Sequence, residues 1–557
     1  MSGLLEKLVE SWLDSINERG YQSAFCSLLC TEGHVILHNT RHSPIENGKD
    51  VITIAPDGNR HLIQLKGNPG RRFKQSDFAS HVNQLDMLAA LPWKTSDNVS
   101  EIPFFVTNGE VEEEARLAFD QYNAGLSKRG LTPVELVARG ELLSRFIKSI
   151  ETIAPSDPEK FSKFVAFLNS SPKKDLDFQE LFRFFFDLID SGNPTKQVQF
   201  DRLCSSCFLL AELISSKRDA AYDPYHVILI RTACLSAVMS TKQKLGLALG
   251  KKISALYHLF RTRIAESIAD FARELKGRER FFLQGTLIDD GIQITFRREV
   301  VTALFGALLA EHDFPGTKID FEFLTPDLED ACVSIVRNSF EDMRFWGEAS
   351  VARYLIGYFG IANRAGGGDS DRLLLRLLFN YRYLSKSKHG YIFPSAYYSY
   401  EEFIRNYVFP SLARVEDSIR DETFWRRSHF FRPVFLLGAR KNWKNACKLV
   451  WAEFTKYIHA DVKHLTLWST CFRPDEQAKW IDKIYDDVAI WPEVLGEAEE
   501  HEPSELVDLF DGDIFLSLVF LTYCPFRMNL STILTIDRML GDSINLQDRA
   551  RFRALRK

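Results

Sequence analysis

The sequence has no apolar run long enough to cross a bilayer. Its longest, "IFLSLVFLTYCPF" from Ile514 to Phe526, falls short of the roughly 20 residues a spanning helix needs and carries a proline, so it reads as a buried helix. Cysteine is scarce: nine residues, an odd number, are scattered over 557 positions, which excludes a disulfide framework and fits reduced thiols in core positions. The single CxxC, Cys204 and Cys207 in "FDRLCSSCFLLAEL", has no second pair nearby and lies in a helical pattern, so it reads as core-facing and not as a zinc or redox pair. An excess of positive charge is also lacking. With 70 Lys and Arg against 75 Asp and Glu the formal charge is −5, so any contact with a polyanion has to come from local patches. The first residues, "MSGLLEKLVESWLDS", are amphipathic and acidic, without the basic start and apolar core of a signal peptide. A cytoplasmic location without membrane contact is expected.

What is abundant is phenylalanine, 44 residues, in a chain otherwise of ordinary globular composition. The length exceeds what one hydrophobic core serves, so several units are expected. Leu4, Leu5, Leu8, Trp12, Leu13 and Ile16 form a helical stripe that "ERGY" is expected to end. A short segment around Phe25 to Cys30 precedes three extended runs, "HVILHNT", "DVITIAP" and "HLIQLKG"; "PDGN" between the last two predicts a hairpin over Asp50 to Lys66. A helix from Asp77 to Leu91 ends at Pro92, and the strand "IPFFVTNGE", the acidic helix "VEEEARLAFDQYNAG" and a strand in "PVELVARGELL" follow. This order predicts a mixed α/β unit over residues 1–153, with "TIAPSDPEKF" as its boundary.

Residues 154–557 read as mostly helical, with one hairpin signal at "FFLQGTLIDDGIQITFRRE" and loop-like sub-boundaries at 363–372 and 496–505. "FWRRSHFFRPVFLLGARKNWKNACK", Phe424 to Lys448, interleaves basic and aromatic residues. The pattern fits nucleic-acid stacking, but fits better a helix with aromatics turned inward and arginines outward.

Chemistry concentrates in the hairpin. Alternation along a strand projects Gln64 and Lys66 from one face, with Asp50 heading the partner strand. An acidic side chain, an amide oxygen and a main-chain carbonyl beside an ammonium form an oxygen-rich site for a hard cation, an arrangement suited to phosphodiester cleavage. A glutamate from the first helix, Glu6 or Glu10, would complete it. Arg71, Arg72 and Lys74, just after "QLKGNPG", are candidates for gripping a phosphate backbone. Cys26, Cys30, His34, His38 and His42 recur every four residues, but the segment passes from helical to extended and leaves them no common face.

The pieces occur in the order of the PD-(D/E)xK nuclease superfamily and most resemble its Mrr-like branch, related to type IV restriction endonucleases. The resemblance rests on "LEKLVESWL" followed by "GY", on "GKDV", on "QLK", on "FFVTNGEVEEEARLAF" and on "VELVARGELLSRF", spread over Leu4 to Ile150. It implies an α+β chain, with a restriction-endonuclease-like α/β domain ahead of the helical region. It further implies that Asp50 is the principal ligand of Mg²⁺ or Mn²⁺, joined by Gln64, the Leu65 carbonyl and Glu6 (alternatively Glu10), and that Lys66 is the catalytic lysine. Gln64 stands where relatives often carry Glu and cannot supply its negative charge. The implied activity is DNA cleavage, with RNA as an alternative substrate, in an anti-phage defence effector restrained by its helical region, as a homo-oligomer or with an operon-encoded protein partner. Two rivals keep the fold: an inactive scaffold that binds a partner, and a structure-selective repair nuclease.

Overall fold

The computed structural model describes residues 2–16, 18–39, 48–93, 99–151, 158–170, 176–219, 223–277, 291–312, 324–341, 343, 347–362, 372–379, 430–441, 444, 496, 507, 509–528 and 531–540. The chain divides into two compact units, Met1–Ile264 and Ala265–Lys557.

In the first unit, α1 (Ser2–Ser15) and α2 (Glu18–Thr31) lead into β1 (Val35–Asn39), β2 (Val51–Ile54) and β3 (Arg60–Lys66). Then come β4 (Arg72–Phe73), α3 (Gln75–Ala90), β5 (Glu101–Thr107), β6 (Glu110–Val111), α4 (Glu113–Lys128), β7 (Glu135–Val137) and α5 (Arg139–Glu151). Five strands form one mixed sheet in the order β1-β2-β3-β5-β7, and β4 pairs with β6 separately. The β1, β2 and β3 strands run antiparallel, as the "PDGN" turn requires, with Gly58 at φ +88° within it. The β3, β5 and β7 strands are parallel, joined by crossovers that contain α3 and α4.

Strand β3 is central, and its two faces meet different helices. The residues Leu62, Ile52 and Phe105 join Phe78, Leu85 and Leu88 of α3 and Phe119 of α4 in one core. On the other side α2 packs on β1 and β3, and α5 on α1 and α2. The expected strand in "PVELVARGELL" is short: it ends at Val137, and the following residues start α5.

The expected boundary at residue 153 lies outside the described residues. The first compact unit runs on to Ile264 and takes in α6 (Pro158–Leu168), α7 (Phe178–Asp190), α8 (Gln197–Asp219), α9 (Pro224–Leu245) and most of α10 (Lys251–Leu275). Its helical core explains the phenylalanine content, because α7 buries Phe178, Phe182, Phe184, Phe185 and Phe186. Helix α9 is buried continuously from His226 to Thr241, which suits the apolar composition around it; Asp223 caps its start and Gly246, at φ +62°, ends it. Hydrogen bonds among the described residues tie these helices to the α/β part; in two of them Trp12 Nε1 donates to Ser216 Oγ at 2.5 Å and Arg263 Nη2 to Gln22 Oε1 at 3.3 Å.

The regular elements described in the second unit are all helices. It contains α11 (Gly291–His312), α12 (Pro326–Glu341), α13 (Glu348–Ile361), α14 (Phe431–Arg440) and α15 (Ile514–Tyr523). Helices α11 and α13 cross at glycine, where a Cβ on Gly306 would lie 2.6 Å from the Gly357 Cα. The buried Arg353 bridges Glu299 at 2.5 Å and the Thr522 carbonyl at 3.1 Å. The hairpin expected over 281–299 is corrected in its second half. Residues 291–299 belong to α11, because the apolar run continues at helical spacing through "VVTALFGALLAEH"; the first half lies outside the described residues. Of the basic and aromatic segment, α14 is described. Val434 to Leu437 are buried, and Arg440 and Lys441 pair with Asp537 at 3.1 and 2.9 Å, in keeping with inward apolar packing. Most of the expected sub-boundaries at 363–372 and 496–505 fall outside the described residues. Among the described residues no helix is long and apolar enough to cross a membrane.

One residue locks the C-terminal end of α1 to the sheet. The fully buried Asn108 donates to the Leu13 and Ile16 carbonyls at 2.9 and 3.1 Å and accepts from the Asn68 amide at 2.6 Å. Asn108→Ala leaves these groups unsatisfied and is expected to cost about 2–3 kcal/mol. Calorimetry of the full chain should then show the first unit melting several degrees earlier; an unchanged melt would contradict the clamp.

Candidate functional site

The register decides which side chains meet. Val51 pairs with Ile63 and Ile52 with Leu62, so Asp50, one step before β2, enters beside the Ile63–Leu65 stretch of β3. Positions 64 and 66 share with Leu62 the sheet face that α3 covers, and Asp50 comes to the edge of β3 beside them. Hydrogen bonds to β3 fix Asp50. Its amide donates to the Ile63 carbonyl at 2.9 Å, and its Oδ2 accepts from the Leu65 amide at 2.6 Å. The carbonyl of an extended residue points the same way as its N–H, so the Leu65 carbonyl also lies toward the Asp50 edge. Gln22 of α2 donates to the Asp50 carbonyl at 3.3 Å and to Asn39 Oδ1 at 2.7 Å.

Gln64 is 1% exposed. Its Nε2 donates to Gln84 Oε1 of α3 at 2.7 Å, while its own Oε1 is buried without a hydrogen-bond partner. Lys66 lies at the open end, with its side chain 14% exposed, and its Nζ reaches Glu18 Oε1 at 3.3 Å. The other oxygen of Glu18 accepts from the Gly67 amide at 3.1 Å. The approach requires glycine, because a Cβ on residue 67 would lie 2.4 Å from the Glu18 amide nitrogen. Tyr21 sits beneath, donating to the Lys66 and Val106 carbonyls at 3.2 Å. Burial, with the negative charges of Glu18 and Asp50, raises its phenol well above the ordinary range. The ring of His81 on α3 is half-buried between Phe73 and Phe105; burial and then the Lys66 charge lower its pKa.

The structure thus brings together Asp50, Gln64, Leu65 and Lys66, and it corrects the helix glutamate. Glu6 is exposed on α1, and Glu10 is engaged by Arg139 of α5 at 3.0 Å, alongside Asp14. The acid beside Lys66 is Glu18. Gly20, read as a helix stop, lies inside the first turn of α2, so the segment that was expected to end one helix begins the next and carries Glu18 to the end of β3. The signal in the sequence was the acid two residues ahead of the Gly-Tyr pair. Arg71, Arg72 and Lys74 are exposed on the stretch after β3, with Arg72 4.0 Å from Glu110.

Among the described residues no three His, Cys, Asp or Glu side chains are grouped to hold a metal ion. Binding at this site would depend on one carboxylate, Asp50, with the Gln64 amide oxygen and the Leu65 carbonyl. The buried, unpartnered Gln64 oxygen fits such a role, and Mg²⁺ commonly takes one or two carboxylates while keeping several waters.

The histidines and cysteines considered from their spacing go separate ways. His34 meets Thr53 Oγ1 at 3.1 Å and packs edge-on against His61; His38 lies 4.7 Å from Trp93; His42 is outside the described residues. Cys26 and Cys30 are buried on α2, and desolvation pushes the Cys26 thiol up to about 12. Cys204 and Cys207 are buried on α8, where desolvation raises both thiols.

Burial, reinforced by His61 and Arg145, lowers His34 to about 4. In the folded chain it is neutral where an unfolded histidine, with a pKa near 6.5, takes a proton. Its contribution is therefore complete above about pH 6.5 and is lost as pH falls toward 4, by roughly 2–3 kcal/mol. Denaturation midpoints at pH 7 and 4.5 should differ less in His34→Gln than in the wild type; an equal difference would remove His34 from the acid response. No protein-family model, curated protein or solved structure matches the chain, so the reading of this site rests on its geometry.

Proposed function

We propose that the N-terminal α/β part is a metal-dependent nuclease of the PD-(D/E)xK, Mrr-like type that hydrolyses phosphodiester bonds in DNA. In this reading the helical regions restrain or direct it, in the manner of an anti-phage defence effector. The observation that carries the reading is the approach of the Asp50 carboxylate to the Gln64–Leu65–Lys66 stretch at the end of adjacent strands, with Glu18 on Lys66. The mixed strand order around β3 supports it further.

Asp50, Gln64 and the Leu65 carbonyl would hold Mg²⁺ or Mn²⁺, which supplies charge neutralisation at a non-bridging phosphate oxygen and a more acidic bound water. The chain's own residues do the rest. Lys66 donates hydrogen bonds to the phosphate or the attacking water, and Glu18 aims its ammonium. The Leu65 amide keeps the Asp50 carboxylate from swinging out of line. Arg71, Arg72 and Lys74 hold the neighbouring phosphates without reading bases. The cation and lysine address the phosphodiester and do not select the sugar, so RNA is the alternative substrate. An inactive scaffold is the second reading, favoured by the neutral Gln64, which leaves one carboxylate among the three proposed ligands.

The test is incubation of the full chain with plasmid DNA or RNA in Mg²⁺, Mn²⁺ or EDTA. Cleavage should require the cation and fall at least about 100-fold in both Asp50→Ala and Lys66→Ala, and roughly 10-fold in Glu18→Gln, with Glu6→Gln unchanged. Intact substrates under every condition, with a candidate activator included, would favour the scaffold. Loss in only one of the Asp50 and Lys66 variants would mean the site is misassigned.

A further inference from the structure

A buried amide oxygen without a partner is expensive to keep, so the position of Gln64 needs a cause. The cause lies on α3. Gln84 presents its Oε1 to the Gln64 nitrogen at 2.7 Å, which turns the Gln64 oxygen the other way. Reversing the Gln84 amide would turn its nitrogen toward the Gln64 nitrogen and break this bond. The backbone at Gln84 is fixed as well. Gly48, at φ +75°, packs so closely that a Cβ there would lie 2.5 Å from the Gln84 carbonyl oxygen, setting α3 against the segment that enters Asp50.

We propose that Gln84 is a positioning residue: as an acceptor it orients the Gln64 amide so that its oxygen, not its nitrogen, faces the cation site. The inference rests on the cation site proposed above. It also gives a reason for glutamine at position 64, because a carboxylate there would confront the Gln84 oxygen.

The experiment is calorimetric titration of the full chain with Mn²⁺, with circular dichroism to verify folding. Gln84→Met removes the acceptor at similar length and should weaken Mn²⁺ binding about 10-fold, in the usual range for groups behind a ligand. Gln84→Lys, which offers only donors, should lose at least as much, and Gln84→Glu, which keeps the acceptor, should bind within about threefold of the wild type. In a Gln64→Ala background, Gln84→Met should cause no further loss. Equal binding by the wild type, Gln84→Met and Gln84→Lys would overturn the positioning role while leaving the cation site in place. So would equal losses from Gln84→Met in both backgrounds. A wild type that binds no Mn²⁺ would overturn the cation site and the positioning role together.

Discussion

The bond from the Leu65 amide to Asp50 Oδ2, 2.6 Å long, fixes the geometry on which the rest of the site depends. Strand β2 ends its pairing at Val51, and an acid one residue beyond a strand end would ordinarily turn to solvent. Here the carboxylate takes the place of a ladder carbonyl and satisfies the next amide of β3, so Asp50 behaves as a continuation of the sheet. A charge-assisted bond of this kind is among the stronger ones available to a side chain. It places the carboxylate beside the middle of Gln-Leu-Lys, between an amide that α3 orients and a lysine that α2 holds.

Both helices reach this point by close backbone approach. Gly67 admits the first turn of α2 to the end of β3, and Gly48 admits α3 to the segment before β2. The polarity of an otherwise apolar hairpin is thus accounted for residue by residue: Asp50 by Leu65, Gln64 by Gln84, Lys66 by Glu18. Beyond them, Arg263 of α10 bonds Gln22, which in turn bonds the Asp50 carbonyl, so a helix far along the chain supports the same strand end.

Much of this was legible in the sequence. The "PDGN" turn and strand alternation set Gln64 and Lys66 on one face and Asp50 at the head of the partner strand, because register follows from a short turn. The helix glutamate was not legible. Gly20 looks like a stop when read locally, yet α2 packs against the sheet strongly enough to carry glycine in its first turn, and Arg139, 129 positions from Glu10, draws that acid away. The bond from Gln64 to Gln84 was equally hidden, since nothing in "VNQLDML" distinguishes a half-buried acceptor from a surface glutamine. The extent of the first unit was missed for a similar reason. Contacts such as Trp12 with Ser216 link residues 204 positions apart, and a proline-bearing segment near residue 153 does not reveal them.

The most direct measurement is anomalous diffraction from crystals of the full chain soaked in Mn²⁺. A peak within bonding distance of the Asp50 carboxylate and the Gln64 side-chain oxygen is expected, with Lys66 and Glu18 beside it. No peak at saturating Mn²⁺, or one seated on other acids such as Asp187 or Glu101, would contradict a cation site built on this strand pair.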